Sequence, residues 1–310
     1  MGIAHLLQPI EDRSVGPGIG VEIEMSDFVV RAADAEDREA VLQFDKEIWG
    51  GEDYIPHVWD EWLRDREGRL YVCTFKDRPV GIGHVDLQDS ITAWLEGGRV
   101  DPKLRRKGVG TRVAKACMAY ARQKGRKIAR LATSKRNVAS YSLNLKLGFQ
   151  VISGYVIMVG RPMETGAPIS RRAQTSEEQK VWTYMRDSPV FEKAAGLYTR
   201  LWEWYTLTPA VLHRFIEMEK TVIYRPDDAI EGVMLVDDVE FRDKQTQTCY
   251  LDGSPKAIQD LAGWLLRWSA EADATKANVF TVNHEPIVST LNSLGFERRH
   301  GEIAIFEKKL

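Results

Sequence analysis

The stretch Arg105-Arg106-Lys107-Gly108-Val109-Gly110-Thr111 sets three cations and two glycines at the head of a run with helical spacing, Val109, Val113, Ala116, Cys117 and Ala121. Glycines let a backbone approach a ligand closely. A helix that starts here turns its unpaired N–H groups and positive dipole end toward the loop, which suits phosphate oxygens, and the cations add charge-assisted hydrogen bonds. Two other phosphate-binding patterns lack their parts. A nucleoside-triphosphate loop needs Lys-Ser/Thr after its second glycine, where this chain has Thr111-Arg112; a dinucleotide loop needs a third glycine and an acidic residue about twenty positions on. What remains is a diphosphate cradle or a solvated basic turn before an amphipathic helix.

The whole chain says where such a loop is useful. Its 310 residues, 44% hydrophobic and 28% charged, are those of an ordinary globular protein long enough for two domains. Lys and Arg number 43 against 45 Asp and Glu, a net charge of −2, so neither nucleic acid nor an anionic membrane is expected as a partner. Cys73, Cys117 and Cys249 are widely spaced, which argues against a disulfide scaffold or zinc knuckle and fits three small buried side chains in a reducing compartment. The opening Met1 to Leu7 meets charge at Glu11, Asp12 and Arg13 too early for a signal peptide, and a cytoplasmic protein is expected. The six histidines, His5, His57, His84, His213, His284 and His300, show no metal-ligand spacing; each reads as an ordinary polar contact and no metal is expected.

Residues 1–26 read as a leader. A strand at 28–31 and a helix at 35–49 follow, broken by Gly50-Gly51-Glu52-Asp53-Tyr54-Ile55-Pro56 before a second helix at about 58–66. A hairpin of strands 70–75 and 79–85 comes next, then a strand 91–100, the basic loop with its helix to about Gln123, a strand 128–132, a helix from Asn137 to Gly148, and a strand pair over 149–159. This is a mixed α/β layer. The polar stretch 161–176 reads as a linker with Arg171 and Arg172 solvated, which gives domains 27–160 and 177–310.

The second half repeats the first at low fidelity. Thr221–Arg225 with Glu231–Val236 echoes the hairpin, Cys249-Tyr250-Leu251-Asp252-Gly253 echoes Ala93-Trp94-Leu95-Glu96-Gly97, and Leu294-Gly295-Phe296 echoes Leu147-Gly148-Phe149. Glu96 stands 52 positions before Gly148 but Asp252 only 43 before Gly295, so the second copy is 9 residues short. The shortfall falls where the basic loop belongs: no Arg-x-x-Gly-x-Gly lies between Asp252 and the helix at 258–270.

These residues resemble the GNAT superfamily of acyl-CoA-dependent N-acetyltransferases, in which Arg/Gln-x-x-Gly-x-Gly/Ala follows the fourth strand; here that is Arg105 to Gly110. A second family signature, Asn-x-x-Ala-x-x-Leu-Tyr-x-Lys-x-Gly-Phe, is met by Asn137, Leu143, Lys146, Gly148 and Phe149, with Ser140 for the alanine and Asn144 where the family has a tyrosine near the leaving sulfur. The resemblance implies an α/β fold with two GNAT-like domains in tandem, the second degenerate. It also implies acetyl-CoA as co-substrate, held by Arg105, Arg106, Lys107, Gly108, Val109, Gly110, Thr111, Asn137, Asn144 and the backbone of Arg99 and Val100. The stretches 49–56 and 95–100 are similar, more loosely, to the histidine N-acetyltransferase branch.

Acetyl transfer to an amine needs a base, an oxyanion donor and an acid. Glu96, mid-strand beside Gly97 and Gly98, is the candidate base; the two glycines suggest a bulge that opens the strand, and the plain alternative is a solvated strand carboxylate. Tyr141, three residues before Asn144, is the nearest phenol, with core packing as its alternative. Asn137 reads as a helix cap, a cofactor contact or both. Glu52, Asp53 and Tyr54 are expected either to bind the acceptor or to cap the helix behind Pro56. The aromatic cluster Tyr198, Trp202, Trp204, Tyr205 and the pair Trp264 and Trp268 read first as core, with a pocket wall between the domains as the alternative for 202–205. The expected partner is a small-molecule amine, in a monomer or homodimer; a peptide or protein acceptor and a non-catalytic acyl-CoA-binding module are the other readings.

Overall fold

The computed structural model describes residues 27–48, 53–164, 166–241 and 243–310. By packing these form two compact units, one running to Gln150 and including Phe306–Leu310, the other Val151–Ile305. In the first, β1 (Phe28–Ala32), α1 (Asp37–Asp45), α2 (Ile55–Arg64), β2 (Arg69–Phe75), β3 (Arg78–Asp86), β4 (Thr92–Val100), α3 (Val109–Gln123), β5 (Ile128–Ser134) and α4 (Val138–Lys146) follow in order. Strands β1 to β4 pair antiparallel with their neighbours, and β4 pairs parallel with β5. On one face Val41, Phe44, Ile48, Ile55, Trp59 and Trp62 pack on Leu70, Val72 and Ile82. Each such side chain contributes ~1.5–3 kcal/mol by leaving water. Against the other face, α3 buries Val109, Val113, Cys117 and Ala121, the i, i+4, i+8 series of its apolar stripe.

Helix α2 starts at Ile55, three residues before the expected Val58. Pro56 sits in the first turn, where its missing N–H costs nothing, and Asp53 Oδ1 accepts from the N–H groups of Tyr54 (2.6 Å) and Ile55 (3.4 Å).

The second unit continues with β6 (Gln150–Gly160), β7 (Arg171–Arg172), α5 (Glu178–Arg186), α6 (Pro189–Lys193), β8 (Leu197–Arg200), β9 (Glu203–Thr206), α7 (Pro209–Glu217), β10 (Thr221–Tyr224), β11 (Gly232–Phe241), β12 (Asp243–Gly253), α8 (Pro255–Glu271), β13 (Lys276–Val282), α9 (Glu285–Ser293) and β14 (Glu297–Lys309). The run β10-β11-β12-α8-β13-α9-β14 repeats β2-β3-β4-α3-β5-α4-β6, down to the parallel pairing of β12 with β13. The last strands are placed unexpectedly. Strand β6, which closes the first copy in sequence, pairs antiparallel with β13 from Gly160↔Ala277 to Tyr155↔Val282. In the first unit the end of β14 lies beside β5, with Leu310 N donating to Lys127 O (2.8 Å) and Arg130 Nε to Glu307 Oε2 (2.8 Å). The units therefore part before β6, whereas the sequence suggests a break at 160.

Two local expectations are corrected. The strand pair over 149–159 is one strand: Ser153-Gly154 stays extended, with Gly154 O accepting from Asn283 N (2.8 Å). Arg171 and Arg172 are exposed, as expected, but form the short strand β7 against Ile223 and Val222 rather than an unstructured linker. Arg171 grips both oxygens of Glu177 at 2.8 Å and Arg225 adds a third contact, which holds the Glu177 carboxyl down at about 2. Of the aromatic cluster, Trp204 is core of the second unit, fully buried and packed edge-on against Tyr155 and Phe280, while Tyr198, Trp202, Tyr205, Trp264 and Trp268 are half-buried.

Candidate active site

Strand β4 is irregular where the chemistry is expected. Ile82 pairs with Arg99 and His84 with Glu96, so Gly97 and Gly98 together oppose the single residue Gly83, and β4 bulges there. Gly97 takes φ +66°, a left-handed conformation that favours glycine. On its other edge β4 stays with β5 only from Thr92 to Trp94, although both strands run on. The two strands thus part from Leu95 onward, which leaves this edge of β4 unpaired with β5 along Glu96 to Val100.

Glu96 sits on the lip of this opening, its side chain 17% exposed. Its Oε1 lies 3.0 Å from Nδ1 of His84, and Nε2 of the same ring lies 3.2 Å from Asp65 Oδ2. The imidazole is buried (3% exposed) and stacked on Trp62, with ring centres 4.6 Å apart and planes 4° from parallel. A carboxylate, an imidazole and a second carboxylate so form one chain from the opening to the segment after α2. Sequence reasoning named Glu96 but missed His84 and Asp65. The signal was present, since a hairpin with a two-for-one bulge at Gly97-Gly98 puts His84 directly across from Glu96.

The loop before α2 is tied into the same wall. Arg99 forks onto Asp53 through Nε–Oδ2 (2.6 Å) and Nη2–Oδ1 (2.9 Å), and its guanidinium lies 5.1 Å from the Tyr54 ring centre. Asp45 is buried beside Asp53; burial, then the Asp53 charge, push its carboxyl up to about 7, where it donates a hydrogen bond to Asp53. The Asp53 carboxyl is lowered, because Arg99 outweighs burial. Asp53 is therefore engaged by the protein as a helix cap and an Arg99 anchor. Tyr54 meets Trp62 edge-on at 5.9 Å, and burial raises its phenol. Glu52 lies outside the described residues.

The basic loop ends at Gly108, the N-cap of α3, with φ +79° and no side-chain hydrogen bond to the first turn. Arg105 is half-buried, Arg106 and Lys107 are exposed, and Arg112 Nη1 crosses back to Lys107 O at 3.3 Å. Val109 is buried under the sheet, while Gly110 and Thr111 are half-buried in the first turn. Val100 pairs with Gly81. An uncapped helix end, cations and a splayed strand edge fit a long ligand that carries phosphate at one end and amides along its length. The second copy keeps the splay, since β12 pairs with β13 only from Gln245 to Thr248. Its helix end is closed, however: Ser254 Oγ accepts from Ala257 N at 3.3 Å and Pro255 offers no N–H.

On α4, Asn137 is a cap, its Oδ1 accepting from Ser140 N at 3.2 Å. Asn144 is buried and donates to Ser140 Oγ at 3.4 Å. Tyr141 is half-buried and packs edge-on against Phe306, 5.1 Å between ring centres. All three cysteines are buried, which pushes the thiols of Cys117 and Cys249 up to about 12. Among the described residues no group of His, Cys, Asp and Glu is arranged to hold a metal ion, and no helix is long and apolar enough to cross a membrane.

Residues 35–149 match the model of the acetyltransferase (GNAT) family. A probable N-acetyltransferase 16 from Homo sapiens is 32% identical over 149 residues, which is 46% of this chain and 40% of that protein. A histidine N-acetyltransferase from Oreochromis niloticus is 29% identical over 86 residues, 27% of this chain and 26% of that protein. The matches thus span less than half the length of either relative. Among solved structures, a tandem GNAT protein from the clavulanic acid biosynthesis pathway superposes with a TM-score of 0.51 at 13% identity, over 91% of this chain and 98% of that one, a likeness of fold. Residues 35–149 are therefore a GNAT acetyltransferase domain, of a family whose co-substrate is acetyl-CoA, and the element order of the second half repeats that of the first in a fold like that of a tandem GNAT protein.

Proposed function

We propose that this chain transfers the acetyl group of acetyl-CoA to the primary amine of an amino acid or another small molecule. In this reading residues 27–160, the first copy in sequence order, carry the chemistry, and residues 177–310 are the degenerate copy, joined through 161–176. The observation behind it is the placing of Glu96: a half-buried carboxylate at the bulge of β4, where the strand leaves β5 and points toward an uncapped α3.

Acetyl-CoA supplies the activated acetyl thioester. The N–H groups of the first turn of α3, with Arg105, Arg106 and Lys107, bind its phosphates, and the β4 edge at Arg99 and Val100 offers its outward-facing N–H to the amides and the thioester oxygen. Glu96 takes a proton from the acceptor ammonium at Oε2 while Oε1 stays on His84. The Tyr54 ring stands near Glu96 on the acceptor side, and the Glu96 carboxylate gives that side negative charge, which suits a small cationic amine. The buried thiols fit a reducing, cytoplasmic setting.

The test is thiol release from acetyl-CoA across amino acids, polyamines, aminoglycosides and peptides. Turnover with small amines supports the reading, turnover with peptides alone moves the acceptor to a protein, and binding without turnover on any amine leaves an acyl-CoA-binding module.

A further inference from the structure

We infer that His84 stores the proton taken from the acceptor amine and that Asp65 holds the ring in the tautomer that can accept it. This rests on Glu96 as the base and adds what Glu96 alone lacks, a place to send the proton. The overall reaction makes one: an ammonium and a thioester give an amide, a thiol and a proton.

The geometry supplies a route. With His84 neutral and its proton on Nε2, the ring donates to Asp65 and turns the bare Nδ1 toward Glu96 Oε1, where two lone pairs face each other at 3.0 Å. A proton entering at Glu96 removes that conflict. The ammonium N–H bond breaks, the proton bonds to Glu96 and passes to Nδ1, and Glu96 is a carboxylate again beside an imidazolium that donates to both neighbours. Asp65 keeps the proton on Nε2 and steadies the imidazolium while the ring is held flat on Trp62; once the product has left, Nδ1 returns the stored proton through Glu96 to solvent, and the ring is back in its Nε2–H form.

The groups around the ring are few. Asp65 faces it from the segment after α2, Glu96 from β4 and the Trp62 ring from α2; on β2 its cross-strand neighbour is the apolar Leu70. Beyond Glu96 stand Tyr54 and the Arg99–Asp53 pair, whose opposite charges are joined. His84 and Asp65 are thus positioning and relay residues that act through Glu96.

The experiment measures kcat/KM against pH for the full chain, His84→Gln and Asp65→Asn, with an amine the parent acetylates. Loss of the relay lowers kcat/KM about 30-fold near pH 6.5 and less than about threefold near pH 9.5, where much of the acceptor arrives already neutral. A fall of the same size at every pH overturns the relay and leaves His84 a packing residue. A second readout is independent of turnover and of whether His84→Gln folds. In protein labelled with 15N-histidine, the neutral His84 ring is expected to carry its proton on Nε2, facing Asp65, and Asp65→Asn is expected to move it to Nδ1, facing Glu96. A neutral ring protonated on Nδ1 in the parent, or a tautomer that Asp65→Asn leaves unchanged, overturns the proposal. If the parent acetylates no amine at all, the enzymatic reading fails instead, and the ring tautomer still judges whether Asp65 holds Nδ1 free to accept a proton.

Discussion

Replacing Gly97 by alanine strikes the site through its backbone. Gly97 holds φ +66°, and a Cβ built there lies 2.5 and 2.6 Å from two atoms of the Trp62 ring, closer than such contacts occur. Left-handed backbone costs an ordinary residue ~1–2 kcal/mol, and forcing a methyl into a packed ring adds ~1–3 kcal/mol, for a loss of about 2–5 kcal/mol. Near the middle, at about 3 kcal/mol, a unit of this size loses about 6–12 °C in Tm. Gly98 is the internal control. It is exposed, its φ is not in the left-handed region, and a Cβ there has nothing within 4 Å, so Gly98→Ala is expected to leave stability within about 0.5 kcal/mol. Urea melts followed by tryptophan fluorescence measure both. Because Trp62 stacks on His84, Gly97→Ala also displaces the ring chain and lowers thiol release. A Gly97→Ala protein as stable as its parent, or a Gly98→Ala protein equally damaged, refutes the account of the bulge.

Asp45→Asn changes how stability depends on pH. With its carboxyl raised to about 7, the folded chain keeps a proton that the unfolded chain has given up above about pH 4, so parent stability falls as pH rises through this window and stays lower above it. The variant lacks that fall and gains about 1–3 kcal/mol on its parent between pH 5 and 8 in urea melts; parallel pH curves contradict the assignment. Phe306→Ala empties a fully buried site against Tyr141 and is expected to cost ~3–5 kcal/mol in the first unit, although the residue lies near the C-terminus. Thiol release falls with it, and an unchanged unfolding transition argues against the placing of β14. Calorimetric titration with acetyl-CoA is expected to give one site per chain, because Ser254 and Pro255 close the second helix end; two sites contradict this.

Much of the fold was legible because the elements announce themselves locally. The basic glycine loop, the apolar stripe of α3, the hairpin of strands 70–75 and 79–85 and the repeat from Thr221 to Phe296 all read off spacing and composition. What could not be read was long-range. Nothing in the sequence of β6 says that it pairs with β13, because an apolar strand carries no address for its partner. His84 looked like any lone histidine, and only the register of β3 on β4, shifted by the bulge, brings it to Glu96. Asp53 looked available to an acceptor until Arg99, 46 residues on, closed on it.

The central claim is that Glu96 accepts the acceptor's proton in a site built to hold acetyl-CoA. Glu96→Gln keeps the shape of the side chain and removes its basicity, so acetyl-CoA affinity is expected to stay within about twofold while thiol release near pH 7 drops by about 10²–10⁴. Thiol release by Glu96→Gln at the parent's rate, with the same amine, contradicts the account.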